Sequence, residues 1–226
     1  MNPLFDLSQR QVIMFDLDGT LVDSARDLYG AMNLTLADLG RERVTEQQVR
    51  VWIGKGAAQL CRCVIEYQDE VFQSTAYEQL LARFLQVYQQ NLCVDTTIYT
   101  GVVDFLDFCQ AQNKTLVCIT NKPYQAAVAL LEQLGLLQRF ALVLGGDSLA
   151  QRKPDPEPLL YAMRKFTQTT SQMLMIGDSR NDVEAARAAQ IDCIVLSYGY
   201  NHGEDINACR PQVVIDSLAE LIPISM

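Results

Sequence analysis

Two hydrophobic periods alternate along this chain. Val12-Ile13-Met14-Phe15 is a continuous apolar run that stops at Asp16-Leu17-Asp18-Gly19-Thr20. A short apolar run closed by a turn signal predicts a strand buried on both faces. Thr115–Ile119, Ala141–Leu144, Met173–Ile176 and Cys193–Leu196 read the same way, and Val213–Ile215 reads as a later strand. Between these runs the period lengthens to that of a helix. Val102–Gln112 is one helix. Ala127, Leu130, Leu131 and Leu134 carry another to Gly135, with Pro123 suited to its first position. Asp155-Pro156 opens a helix running to about Phe166, and Val183–Ala189 is a small-residue helix fit for close packing on a sheet.

The stretch from about Asp23 to Cys93 is different: helical spacing continues with no strand-like run. Ser24-x-x-Asp27 resembles a capping box, ahead of Leu28, Met32, Leu36 and Leu39, with Gly40 to close the helix. Thr45-x-x-Gln48 is a second helix start, and Tyr77 to Leu92 carries a long apolar stripe. The expectation is an α/β fold with a doubly wound parallel-sheet, Rossmann-like core, residues 1–22 and 96–226. A small all-helical cap domain, 23–95, is inserted after the first strand.

Composition narrows the function classes. The chain has 226 residues, 49% hydrophobic and 20% charged, with a net charge of −9. That is the balance of a globular chain with a sizeable core. A sequence-independent nucleic-acid binder needs a basic face, so nucleic acid is not an expected partner. Seven Cys without a CxxC pair fit reduced thiols in a cytoplasmic protein. Cys61 and Cys63 have no second Cys/His pair at zinc-site spacing, and the single histidine, His202, reads as a surface loop residue. Met1–Arg10 carries no basic start followed by an apolar run, and no apolar run approaches the roughly 18 residues of a membrane span.

The strand ends carry one chemical theme. Open α/β sheets place their sites beyond the carboxyl ends of the strands. Asp16 leaves the first strand there, and Asp18 follows on the same side if the chain stays extended. Two carboxylates about 4 Å apart repel by about 4 kcal/mol at an effective dielectric of ~20, so a divalent cation or a retained proton is needed. A calcium loop is ruled out, because that register puts Met14 and Ala25 at the first and twelfth ligand positions. Thr120-Asn121 ends the second long strand, where a hydroxyl and backbone N–H groups can hold phosphate. Lys153 lies just before a helix, as a cation able to offset charge building on a phosphoryl group. Gly177-Asp178-Ser179-Arg180-Asn181-Asp182 brings an acidic pair to a strand-to-helix turn. Three carboxylates with waters and a phosphate oxygen suit octahedral Mg²⁺.

Asp16-Leu17-Asp18-Gly19-Thr20-Leu21-Val22-Asp23-Ser24 resembles the first motif of the haloacid-dehalogenase-like hydrolases. Thr120, Lys153 and Asp178/Asp182 resemble the next three in order. The resemblance implies a phosphatase acting through an aspartyl-phosphate. Asp16 is then the nucleophile, Asp18 the acid and base, and Lys153 and Thr120 hold the phosphoryl group. It implies Mg²⁺ held by Asp16, the Asp18 main-chain oxygen and Asp178, with Asp182 one layer out, paired with Lys153. It also makes the helical block a cap that excludes water. Dehalogenation is disfavoured, having no use for a metal or for an acid/base at position 18. Within the superfamily the chain is most similar to the phosphoglycolate phosphatases, on Asp178–Asp182, on Ser197-Tyr198-Gly199-Tyr200-Asn201 and on Trp52-Ile53-Gly54-Lys55-Gly56. That likeness implies a small organophosphate, 2-phosphoglycolate, as substrate. Gly54, Lys55 and Gly56 are the candidate loop for its carboxylate, although Asn is the family's more usual residue where Lys55 stands. Two other classes compete: a phosphomutase of the β-phosphoglucomutase type or a sugar-phosphate phosphatase, and a phosphate-binding module without turnover.

Overall fold

The computed structural model describes residues 5–69 and 71–223. The tips of the expected core segments, 1–4 and 224–226, lie outside the described residues, as does the start of the stretch read for a leader.

Six strands form the central sheet: β1 (Val12–Phe15), β4 (Thr115–Ile119), β5 (Leu142–Leu144), β6 (Met173–Gly177), β7 (Asp192–Leu196) and β8 (Val213–Ile215). They lie in the order β5-β4-β1-β6-β7-β8, and every neighbouring pair is parallel. Alternation within each strand sorts the side chains onto two faces. Ile13, Phe15, Leu116, Cys118, Leu174, Ile176, Ile194 and Leu196 join one core with α5 (Val102–Ala111) and α6 (Tyr124–Gln133). Val12, Met14, Val117, Ile119, Met173, Met175, Cys193 and Val195 join the other, with α7 (Glu157–Lys165) and α8 (Arg180–Ala188). Both faces are dry, so the strands are apolar without interruption, as the sequence pattern requires.

The chain runs from β1 outward to β4 and β5, returns to β6 beside β1, and continues outward to β7 and β8. The reversal falls between β1 and β6, and the ends of these two strands flank the crevice where ligands bind in such sheets.

A two-stranded antiparallel ribbon, β2 (Val22–Asp23) with β3 (Thr97–Ile98), carries the chain out of the core and back. Between its strands lie α1 (Ala25–Asp38), α2 (Glu46–Trp52), α3 (Ala57–Gln68) and α4 (Ser74–Gln90), with no strand among the described residues.

Three local expectations need correction. Ser24 precedes α1 but makes no side-chain cap; its hydroxyl donates to Asp18 at 2.5 Å, and Asp27 is engaged elsewhere. Pro123 stands one residue before α6, with ψ at 139°, because the chain is still extended as it leaves the β4 turn. His202 is half-buried rather than a free surface residue: its Nδ1 lies 3.1 Å from the Val51 carbonyl of the helical insertion. The Thr45/Gln48 capping box on α2 is present in both directions.

Candidate active site

Asp16 follows β1 directly, and its Oδ1 accepts from the Leu17 N–H at 2.7 Å. The chain then folds over itself: the N–H groups of Thr20, Leu21 and Val22 all donate to the Leu17 carbonyl. Gly19 makes this turn possible, with φ at 90°, and a Cβ there would lie 2.3 Å from Asp178 Oδ2. Asp178 therefore sits against the first turn. It is held by the Thr20 hydroxyl on Oδ1 and the Tyr200 N–H on Oδ2, each at 2.6 Å.

Asp182 stands in the first turn of α8. Its Oδ2 accepts from the N–H groups of Asp178 and Ser179 and from the Ser179 hydroxyl, so it caps the helix. Its Oδ1 accepts from Lys153 Nζ at 2.6 Å, and the same ammonium lies 3.1 Å from Asp16 Oδ1. Asp16, Asp178 and Asp182 each offer a carboxylate oxygen within 4.8 Å of the others.

Thr120 follows β4 directly, with its hydroxyl accepting from the Lys122 N–H at 3.2 Å. Asn121 Nδ2 donates to the carbonyls of Gly54 and Lys153, at 3.1 and 2.9 Å. Asn181 Nδ2 also reaches the Gly54 carbonyl, at 3.1 Å. Two core amides thus clamp one carbonyl of the helical insertion. Gly56, with φ at 85°, lies so close that a Cβ would be 2.7 Å from the Asn121 carbonyl oxygen. The glycines serve this close approach. Gly54 and Gly56 line the cavity between sheet and insertion, whereas Lys55 is exposed and outside the lining.

Lys122 is the site residue that sequence reasoning missed. It is buried, and its Nζ lies 2.9 and 3.1 Å from the two oxygens of Asp18 and 2.5 Å from the Tyr88 hydroxyl on α4. Its one available signal is position: it lies two residues past Thr120 in the same strand-end turn.

The electrostatics follow from burial. Asp16, Asp18, Asp178 and Asp182 are four buried carboxylates facing two buried ammonium groups, Lys122 and Lys153. Burial pushes Asp16 up to about 7, Lys153 pulls against that, and Asp182 and Asp18 add to it. Asp178 is also raised far above the usual carboxylate range, first by burial and then by Asp16 and Asp182. Burial alone would lower Lys153, but Asp16 and Asp182 outweigh it and hold the ammonium charged. An all-oxygen donor set with two negative charges in excess fits a hard divalent cation such as Mg²⁺.

The free space above these groups, its mouth included, is about 460 Å³. Asp16, Asp18, Thr120, Asn121 and Lys122 form its floor from the core. Leu28, Ile53, Ala57, Leu60, Phe84 and Tyr88 close it from the insertion.

A family model described as "Haloacid dehalogenase-like hydrolase" matches residues 13–196, which run from β1 to β7 and hold the four buried carboxylates and two buried lysines described above. The chain belongs to that family. It is 42% identical to the phosphoglycolate phosphatase of Colwellia psychrerythraea, covering 96% of this chain and 97% of that one. The corresponding enzyme of Nitrosococcus oceani is 39% identical over 95% of this chain and 96% of that one. The crystal structure of a predicted phosphoglycolate phosphatase from Haemophilus somnus superposes with a TM-score of 0.90 at 34% identity, covering 94% and 96% of the two chains. The chain is a phosphoric monoester hydrolase, similar along nearly its whole length to phosphoglycolate phosphatases.

Proposed function

We propose that the protein is a Mg²⁺-dependent phosphatase of 2-phosphoglycolate that works through an aspartyl-phosphate on Asp16. The observation that carries this reading is the set of four buried carboxylates and two buried ammonium groups at the reversal of the sheet. Asp16, Asp178 and the Asp18 main-chain oxygen would hold Mg²⁺. When bound, it supplies neutralising charge to the phosphoryl oxygens.

Asp16 attacks phosphorus in line with the ester bond, and the phosphoryl group passes to its carboxylate. Lys153, 3.1 Å from Asp16, meets the charge that gathers on the equatorial oxygens. Thr120, Asn121 and the backbone N–H groups beside them in the turn after β4 hold the phosphate oxygens. Asp18 gives a proton to the departing alkoxide and then takes one from the water that opens the aspartyl-phosphate. The helical insertion, read as a cap over residues 23–95, keeps bulk water from the intermediate. Seven unpaired thiols fit the reducing, cytoplasmic setting read from the cysteine count.

The test is phosphate release from 2-phosphoglycolate in Mg²⁺ and in excess chelator, with wild type and Asp16→Asn. The wild type should be active only with the metal. Asp16→Asn should lose at least about 10³-fold in rate, because it lacks the nucleophile. Full activity in chelator, or substantial turnover by Asp16→Asn, would overturn the mechanism. Much faster release from sugar phosphates than from 2-phosphoglycolate would overturn the substrate and leave the chemistry standing.

A further inference from the structure

Two buried lysines divide the site between them. Lys153 is bound to Asp16 and Asp182, and Lys122 to Asp18 and Tyr88. Lys122 is the one cation among the described residues lining the cavity. Across from it the insertion presents Leu28, Ile53, Ala57, Leu60 and Phe84, whose side chains offer no donor. An acid group carried by the substrate and buried against that wall would be strongly penalised without a partner. Lys55, the cation of the cap loop, is exposed and outside the lining.

The distances set what Lys122 can reach. In the proposed reaction the ester oxygen leaves toward Asp18, within hydrogen-bond distance of its carboxylate. In a phosphate ester of a 2-hydroxy acid, the acid carbon is two bonds from that oxygen. The Lys122 ammonium, 2.9 and 3.1 Å from the two Asp18 oxygens, lies beside the place that acid group must occupy. Its side chain is set by the Tyr88 hydroxyl and ring, with the ring centroid 4.7 Å from Nζ. A lysine can share its three donors between Asp18, Tyr88 and a third oxygen.

We propose that Lys122 is the specificity-determining residue: its ammonium reads an acid group on the carbon next to the ester oxygen, which restricts the enzyme to phosphate esters of small 2-hydroxy acids. The proposal rests on the phosphatase reading above, because it uses Asp18 to locate the leaving oxygen. It moves carboxylate recognition from the cap loop to the strand-end turn of the core. It also accounts for a buried lysine beside Asp18 when Lys153 already serves the phosphoryl group.

The experiment compares 2-phosphoglycolate with ethyl phosphate, which has the same two-carbon chain without the acid. The quantity read is the ratio of kcat/KM on the two esters, with Mg²⁺ present. Lys122→Met and Lys122→Gln should each lower that ratio roughly 10- to 150-fold, the range for one desolvated charged hydrogen bond, with the loss chiefly in KM. Lys122→Arg, which keeps the charge, should retain most of the ratio. Parallel loss on both esters would overturn the proposal, since a lysine that only supported Asp18 or the fold would act on both alike. Should the neutral variants fail to fold, the wild type decides. Glycolate should inhibit ethyl phosphate hydrolysis at least about tenfold more strongly than ethylene glycol, and equal inhibition would overturn the proposal. A wild type active on ethyl phosphate but not on 2-phosphoglycolate overturns the Lys122 assignment alone. A wild type that releases phosphate from neither ester overturns the phosphatase reading. Calorimetric binding of 2-phosphoglycolate then tests Lys122: weaker binding by Lys122→Met supports the assignment, and equal binding overturns it.

Discussion

At the scale of residues, the site is a charge problem that the protein leaves open for a cation. Asp16 titrates near 7 in the folded chain because burial disfavours its carboxylate, and Asp178 is shifted in the same direction. A folded-state carboxyl raised above its unfolded value near 4 binds more protons folded than unfolded between those two pH values. Stability conferred by the neutral form is therefore full below the unfolded value and is lost as pH rises toward about 7. In chelator, the melting temperature should fall between about pH 4 and 7, Mg²⁺ should remove most of that fall, and Asp16→Asn should lessen it without metal. Thermal melts across pH with and without Mg²⁺ check this; a melting temperature that rises with pH in chelator would contradict it. Asp16, Asp18, Thr120, Lys153, Asp178 and Asp182 were all legible, because each follows an apolar run or opens a helix beside one. Lys122 was not. A lysine between Asn121 and Pro123 has the local look of a solvated charge, and its partners Asp18 and Tyr88 are 104 and 34 residues away in sequence.

At the scale of elements, the long strands were readable because burial on both faces leaves their interior positions apolar. The ribbon of β2 and β3 was not, since two residues per strand carry no period. The α1 entry was misread for a related reason: Ser and Asp three apart look the same whether they bond to each other or elsewhere. Here Asp27 binds the returning segment. Its carboxylate accepts from the N–H groups of Val94, Asp95 and Thr96 at 3.0, 2.8 and 3.0 Å, and from the Thr96 hydroxyl at 2.5 Å. It thereby ties the first turn of the insertion to the segment leading back into β3. Asp27→Ala leaves those donors without their acceptor and should destabilise by about 3 kcal/mol, lowering the melting temperature by roughly 6–12 °C. Thr45→Ala removes an exposed cap and should cost about 1 kcal/mol. Urea denaturation of the two variants gives the comparison, and equal losses would remove Asp27 from its place at the root of the insertion.

At the scale of the whole molecule, the residue Tyr200 joins Asp178 to the root of the insertion. Tyr200 lies in the segment after β7, and its N–H holds Asp178 Oδ2 at 2.6 Å. Its hydroxyl donates to Asp23 on the ribbon and accepts from the Ala25 N–H at 3.2 Å, at the start of α1. Arg50 of α2 lies over its ring at 5.7 Å and pairs with Asp23 at 3.3 Å. Burial works to raise Asp23, but Tyr200 and Arg50 outweigh it and hold its carboxyl below the usual range, so the contact is charged. The same segment therefore fixes an expected metal ligand through its backbone and the seated insertion through its side chain. Tyr200→Phe separates the two, because it keeps the N–H and removes the hydroxyl. A hydrogen bond to a charged group is worth about 1.5–3 kcal/mol, and Arg50 still holds Asp23, so the lower end of that range applies. Tyr200→Phe should thus lower kcat/KM by about tenfold at most while leaving Mg²⁺ affinity, read by calorimetry, near that of wild type. Asp178→Asn should lose Mg²⁺ binding and activity together. If Tyr200→Phe weakens Mg²⁺ binding as far as Asp178→Asn does, the hydroxyl acts on the carboxylate cluster itself rather than on the seating of the insertion.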